Sequence, residues 1–215
     1  MQHSWLTIDD TIEEVLHEYE ARQAEENLVM SDLSAHDLGH RRDDFLLSVG
    51  RATGILLNIL IKESRAQSIL EIGTAFGYST LWLASAARET GGKVVTLEVA
   101  LNKQQYARRA LERSGLIDCV DFCHADALDF LAHTDHSFDF VLIDLWKDLY
   151  IPCINLLLPR LRSGATVVAD NMLEPAIARL AAARYQAHVR TIPDLPTVLL
   201  SVGSGLAVSR YRASK

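Results

Sequence analysis

Residues 68–99 read SILEIGTAFGYSTLWLASAARETGGKVVTLEV. Two runs rich in Ile, Val and Leu, 68–73 and 93–99, flank a helical pattern at 78–89, with Gly73 and Gly77 in the turn between the first run and the helix. Near-continuous apolar side chains in both runs require burial on both faces, which a parallel sheet covered by helices supplies. Outward from this unit the alternation continues, with strand-like runs at 119–124, 138–144 and 165–170 and helical patterns at 103–114, 127–133, 148–161 and 172–185. The end departs from it. TVLLSV at 197–202 and LAVSRYR at 206–212 are joined only by Gly203, Ser204 and Gly205, so short a joint that an antiparallel hairpin is predicted. Upstream, an apolar helix is predicted over 45–63. Residues 7–27 place Ile8, Ile12, Val15, Leu16 and Tyr19 on one side of an amphipathic outer helix.

The chain has 215 residues, 49% hydrophobic and 23% charged, which suits one folded domain with an added segment and excludes a disordered chain. No uncharged apolar run approaches the roughly 20 residues of a membrane span, and the first ten residues show no signal-peptide pattern, so a cytoplasmic protein is expected. Cys119, Cys123 and Cys153 cannot all pair. The first two lie about 13 Å apart on a strand, beyond disulfide reach, and read as reduced thiols. The net charge of −7 is uneven: residues 1–44 carry 3 basic and 12 acidic groups, whereas 151–215 carry 8 and 3. The basic C-terminal portion leaves an anionic partner conceivable; the overall sign argues against nucleic acid.

A five-unit sheet closed by a hairpin resembles the Rossmann-like fold of class I S-adenosylmethionine methyltransferases, an α/β fold, here with extra N-terminal helices. The turn ILEIGTAFGYST at 69–80 lets a ligand approach the backbone and the next helix. A dinucleotide fingerprint would need glycine where Ala75 and Tyr78 stand, which opposes an NAD oxidoreductase. Glu71 sits beside the turn and can meet a cationic or polar ligand group. Glu98 ends the next strand, where an acid accepts hydrogen bonds from ribose hydroxyls. Asp126 follows the third strand and either receives an adenine amino group or caps the helix after it.

Asp144 ends the fourth strand and Asp170-Asn171 the fifth. If those strands are adjacent and parallel, two carboxylates and an amide oxygen meet above the sheet. They leave about three positions of the octahedron that Mg²⁺ prefers, although another divalent oxygen-preferring cation would also fit. Lys147, three residues after Asp144, would point its amine at the same place, and a nearby cation would disfavour its protonated form and suit it as a general base.

With these residues the chain resembles the metal-dependent O-methyltransferases that include catechol and caffeoyl-CoA O-methyltransferases, most closely the catechol branch, over about residues 42–212. IDLWKDLY at 143–150, then VVADNM at 167–172 and Pro175, carry the likeness. The resemblance implies Asp144, Asp170 and Asn171 as metal ligands and Lys147 as the base. It assigns the cofactor to Val49, Glu71, Gly73, Gly77, Ser79, Glu98, Val99, Asp126, Ala127, Asp144 and Trp146. The substrate falls to Phe45, Leu47, Trp146, Lys147, Asn171 and Pro175. Phe45 and Leu47 also fit plain core positions. The family's late substrate-orienting Glu is missing: Thr197 or Val198 stands there, with Asp194 nearby.

The leading expectation is therefore one methyltransferase domain over 1–215, an acidic helical segment at 1–44 followed by a catalytic core at 45–215. It would use S-adenosylmethionine and Mg²⁺ to methylate one hydroxyl of a catechol or other vicinal-diol phenol. No membrane partner is expected and a homodimer is left open. Methylation of tRNA hydroxyuridine and a non-catalytic cofactor-binding role are the alternatives. His36 and His40 have a spacing that suits zinc, but no third ligand is evident and Gly39 is expected to interrupt a helix there, so this stretch reads as solvated.

Overall fold

A computed structural model describes residues 8–175 and 178–213. Seven strands form one sheet: β1 (Ser68–Ile72), β2 (Lys93–Glu98), β3 (Val120–His124), β4 (Phe138–Ile143), β5 (Leu161–Ala169), β6 (Thr197–Leu200) and β7 (Leu206–Arg210). Their order is β3-β2-β1-β4-β5-β7-β6, with β1 to β5 parallel and β7 inserted antiparallel between β5 and β6. Among the described residues there are eight α-helices, all but the exposed α2 packed on the sheet: α1 (Asp10–Asp32), α2 (Ala35–Arg41), α3 (Arg51–Ser64), α4 (Tyr78–Thr90), α5 (Leu101–Arg113), α6 (Ala127–His133), α7 (Tyr150–Leu157) and α8 (Arg179–Val189). The expected sheet and hairpin are both present.

Alternation along the strands divides two cores. From β4, Phe140 and Leu142 join the core under α1, α3, α4 and α5, while Val141 and Ile143 join the one under α6, α7 and α8. The acidic helix α1 belongs to the first core through Ile12, Val15, Leu16 and Tyr19, as its spacing predicts; Thr7, the start of the expected helix, lies outside the described residues. Its remaining acids are not merely solvated. Glu13 and Glu20 hold Arg51, Asp9 holds Arg88 at 2.6 Å, and Glu18 pairs with Arg113.

Several boundaries differ from expectation, among them the end of α1, which runs to Asp32 rather than to 27. The helix expected over 45–63 begins only at Arg51, because Gly50 (φ 80°) and Leu47 (φ 47°) turn the chain, leaving 45–50 as an irregular lip. Strand β5 starts early, at Leu161, through a register shift opposite Phe138 and Phe140. The helix expected over 148–161 is shorter, flanked by tight single turns at Lys147–Leu149 and Leu158–Arg160. The helix expected over 172–185 is displaced to Arg179–Val189, and a loop follows β5. Gly39 does not break its helix: α2 runs through it, capped by Ser34, whose hydroxyl accepts from the Asp37 amide. His36 and His40 are exposed there, their Nε2 atoms 3.2 Å apart, and no group of three His, Cys, Asp or Glu that could hold a metal occurs among the described residues. The three cysteines are free.

The loop after β5 is held by the hairpin turn. The amide of Met172 donates to the Gly205 carbonyl, and those of Leu173 and Glu174 donate to the Ser204 carbonyl, each at 2.9 Å. Gly205 has φ 90°, and a Cβ on it would lie 2.5 Å from the Leu173 side chain and 2.7 Å from its amide. Gly205→Ala is therefore expected to lower stability by on the order of 2–3 kcal/mol in urea denaturation, combining left-handed strain with the clash. Ser204→Ala, which leaves the backbone acceptor in place, is expected to change it by less than about 0.5 kcal/mol.

Candidate active site

The carboxyl ends of β1 and β4 open onto a shallow cleft lined by residues 46–49, 73–75 and 77–79 and by Asp144. Glycine is required at its floor. Gly73 has φ 102°, and a Cβ there would sit 2.1 Å from the Asp144 carbonyl oxygen, so the two turns touch only because no side chain intervenes. The lip closes the other wall. Its Leu46 amide donates to Glu26 Oε2 (2.6 Å) and its Ser48 amide to Gln23 Oε1 (2.9 Å), both from α1. Tyr19 of α1 also donates to the Phe76 carbonyl in the glycine turn.

Of the residues assigned to the cofactor, Val49, Gly73, Gly77, Ser79 and Asp144 line this cleft. Glu71 lies behind it, fully buried, with one carboxyl oxygen accepting from Ser79 Oγ and the other from Thr80 Oγ1 and Thr96 Oγ1, all at 2.6 Å. These hydroxyls use the carboxyl group internally, so Glu71 acts on the cleft through Ser79. Glu98 is at the rim, accepting from the amides of Ala75 (2.8 Å) and Ala100 (2.9 Å) and so clamping the turn, where Ala75 is itself left-handed. Asp126 caps α6: Oδ1 of its exposed carboxylate accepts from the Leu128 and Asp129 amides at the start of that helix. Ala127 is buried beside it, and Val99 is 64% exposed. Thr74 and Tyr78 also line the cleft but were not singled out in sequence, since neither residue type marks a site without its fold.

Strand pairing joins the second half of the site. Ile143 of β4 lies opposite Ala169 of β5, and the next residues are Asp144 and Asp170. Lys147 Nζ donates to Asn171 Oδ1 at 2.9 Å and to the Tyr150 hydroxyl, and stands 3.8 Å from Asp144 Oδ1. Asp170 is 1% exposed, and its Oδ1 has no hydrogen-bond partner. Burial pushes the Asp144 carboxyl up; burial followed by repulsion from Asp144 pushes Asp170 up to about 8. Burial also pushes the Lys147 ammonium down. Two carboxylates, one of them with an orphaned buried oxygen, and an amide oxygen form an all-oxygen set suited to a hard divalent cation, with the lysine already supplying positive charge among them. Tyr150, unassigned in sequence, holds the amine in place and itself donates to the Asp170 carbonyl at 3.3 Å.

The residues assigned to the substrate divide. Asn171 and Lys147 are in this cluster. Trp146 is 52% exposed beside it, and Leu47 is 41% exposed on the lip. Phe45 is buried. Pro175 is partly exposed in the loop after β5. Thr197, at the position of the missing Glu, donates to the Leu195 carbonyl and meets Ser209 Oγ, while Val198 faces solvent. No helix among the described residues is long and apolar enough to cross a membrane.

Residues 20–210 match the O-methyltransferase family. The chain is 37% identical over 128 residues to catechol O-methyltransferase of Mycobacterium tuberculosis, covering 59% of this chain and 58% of that protein. It is 30% identical over 154 residues to catechol O-methyltransferase B of Danio rerio, covering 68% of this chain and 58% of that one. The match thus spans a little under three-fifths of each of these relatives. The solved O-methyltransferase of Bacillus cereus in complex with SAH is similar at 28% identity, with a TM-score of 0.74 over 97% of this chain and 94% of that one.

Burial pushes the Glu71 carboxyl from 4.5 up to about 7, against the pull of its three hydroxyl donors. An acid whose folded pKa exceeds its unfolded one holds its proton more tightly in the native state, so stability falls as pH rises from about 4.5 to about 7. The full effect is on the order of 3 kcal/mol. Glu71→Gln cannot ionise, and urea denaturation at stepped pH is expected to give it a flatter decline across that window than the wild type. Equal slopes would remove Glu71 as the source.

Proposed function

The chain belongs to the O-methyltransferase family, the class I group that includes the catechol and caffeoyl-CoA enzymes, and from that premise we propose that it methylates one hydroxyl of a catechol-like small molecule using S-adenosylmethionine and a divalent cation. The observation that carries this reading is the position of Lys147: its amine donates to the Asn171 amide oxygen and stands 3.8 Å from the Asp144 carboxylate, and the Asp170 carboxylate is near enough to act on its charge.

Asp144, Asp170 and Asn171 would hold the cation, which when bound supplies charge to stabilise a phenolate oxygen. The sulfonium of S-adenosylmethionine, when bound, supplies the methyl group. The protein's residues then have separable tasks. Lys147 Nζ takes the proton of the hydroxyl that becomes the nucleophile. Its lowered pKa favours the free amine needed for this, while Tyr150 and Asn171 fix where the amine points. The cleft between the lip and the glycine turn holds the cofactor against Asp144, with Glu98 at the rim for its ribose. Trp146 walls the ring of the acceptor. Catalysis on this plan is mainly positioning and charge stabilisation.

Lys147→Met keeps the apolar stem and removes the amine. Methyl transfer to catechol or caffeate is expected to fall roughly 10²–10⁴-fold, with cofactor affinity nearly unchanged by calorimetry. Wild-type turnover at neutral pH, with chemistry rate-limiting, would remove the base assignment. Mg²⁺ added to chelated protein is expected to raise the melting temperature of the wild type and not of Asp170→Asn, because only a ligand that binds the folded state stabilises it. Methyl transfer to tRNA alone would overturn the small-molecule reading.

A further inference from the structure

The short turn before the lip reads RRDD at 41–44, and three of its four charges are matched. Arg41 Nε lies 3.5 Å from Asp44 Oδ2, and Asp43 accepts from Lys103 Nζ at 2.9 Å. Arg42 has no carboxylate within ion-pair distance among the described residues. Its guanidinium faces the ring of Trp146 instead, with Cζ 5.8 Å from the centroid. A cation over an indole face is attracted to it, and the partly exposed Arg42 guanidinium makes no hydrogen bond of its own among the described residues, so its N–H donors are unused. Arg42 is also close enough for its charge to favour the Asp144 carboxylate and disfavour protonated Lys147.

This places a cation without a carboxylate partner over Trp146, the residue just before Lys147 of the hydroxyl-binding cluster. An acceptor whose two hydroxyls meet Asp144, Asp170 and Asn171, with its ring along Trp146, turns its far substituent toward Arg42. An ammonium there meets like charge, whereas a carboxylate meets a planar fork of donors that matches it. We infer that Arg42 selects the acceptor by charge, so that the preferred substrate is a catechol carrying a carboxylate. This rests on the catechol reading above and adds to it the sign of the substituent.

The test uses the full chain with S-adenosylmethionine and Mg²⁺, and three acceptors that differ in one group: protocatechuate, its neutral amide, and dihydroxybenzylamine. The wild type is expected to favour the acid over the amide about tenfold in kcat/KM and to disfavour the amine. Arg42→Gln is expected to remove that preference mainly through KM, Arg42→Glu to reverse it, and Arg42→Lys to keep part of it. Calorimetry with S-adenosylhomocysteine and Mg²⁺ present should show the same order in Kd for protocatechuate, a readout that does not depend on turnover. Caffeate and its coenzyme A thioester separate a free carboxylate from phosphate as the source of charge. Equal kcat/KM across the three acceptors, or an acid preference that survives Arg42→Gln, would overturn the inference while leaving the catechol reading intact. An Arg42 effect confined to the thioester would overturn the carboxylate. No methylation of any catechol would overturn the catechol reading and this inference with it.

Discussion

The register of β4 against β5 puts two carboxylates where water is scarce. With Ile143 opposite Ala169, Asp144 and Asp170 leave the sheet side by side, and each raises the cost of ionising the other. Positive charge beside them relieves that cost, and Lys147 supplies some of it from only three residues after Asp144. Much of the surrounding architecture serves to hold this arrangement. The hairpin turn fixes the loop that carries Asn171 by three backbone hydrogen bonds, and the missing side chain at Gly73 lets the first turn close onto the Asp144 carbonyl. A sheet of seven strands with buried faces gives these turns little freedom to separate.

What could be read from the chain follows from how local each signal is. Strands β1 to β4 declare themselves because each is a short apolar run between turn residues, and the hairpin because only three residues join its arms. The Asp144, Lys147, Asp170 and Asn171 set is legible because strand ends concentrate at one edge of a parallel sheet. Boundaries fail where distant contacts decide them. Residues 45–50 are apolar enough to continue α3, yet bonds from Glu26 and Gln23, some twenty residues earlier, keep them open as a lip. The displaced start of α8 has the same origin, since the hairpin turn captures the amides of Met172, Leu173 and Glu174.

Single residues were harder to read than elements, because type and position do not reveal partners. Glu71 and Glu98 are both acids at strand ends, yet the first is enclosed by three hydroxyls while the second clamps two amides at the rim. Only packing separates them. Arg42 was hidden for a different reason: it belongs to a segment with a fourfold excess of acids, whose overall sign conceals an isolated cation. The excess itself becomes intelligible in the fold, since Asp9, Glu13, Glu18 and Glu20 face arginines of α3, α4 and α5. Each such exposed pair contributes little on its own, and the apolar stripe of α1 does most to hold the helix in place.

The anchoring of α1 has a consequence for binding at the site. Residues 42–49 carry Arg42 at the substrate end and Leu46, Leu47, Ser48 and Val49 along the cofactor cleft, so one stretch of chain forms part of both walls. It has no ladder of its own; two side-chain acceptors on α1, the pairing of Asp43 with Lys103 and the burial of Phe45, Leu46 and Val49 hold it, while Tyr19 of α1 holds the glycine turn on the opposite wall. The two binding regions therefore share one stretch of chain and the same acceptors on α1. The acidic helix thus helps to shape both walls of the cleft, although none of its residues lines it.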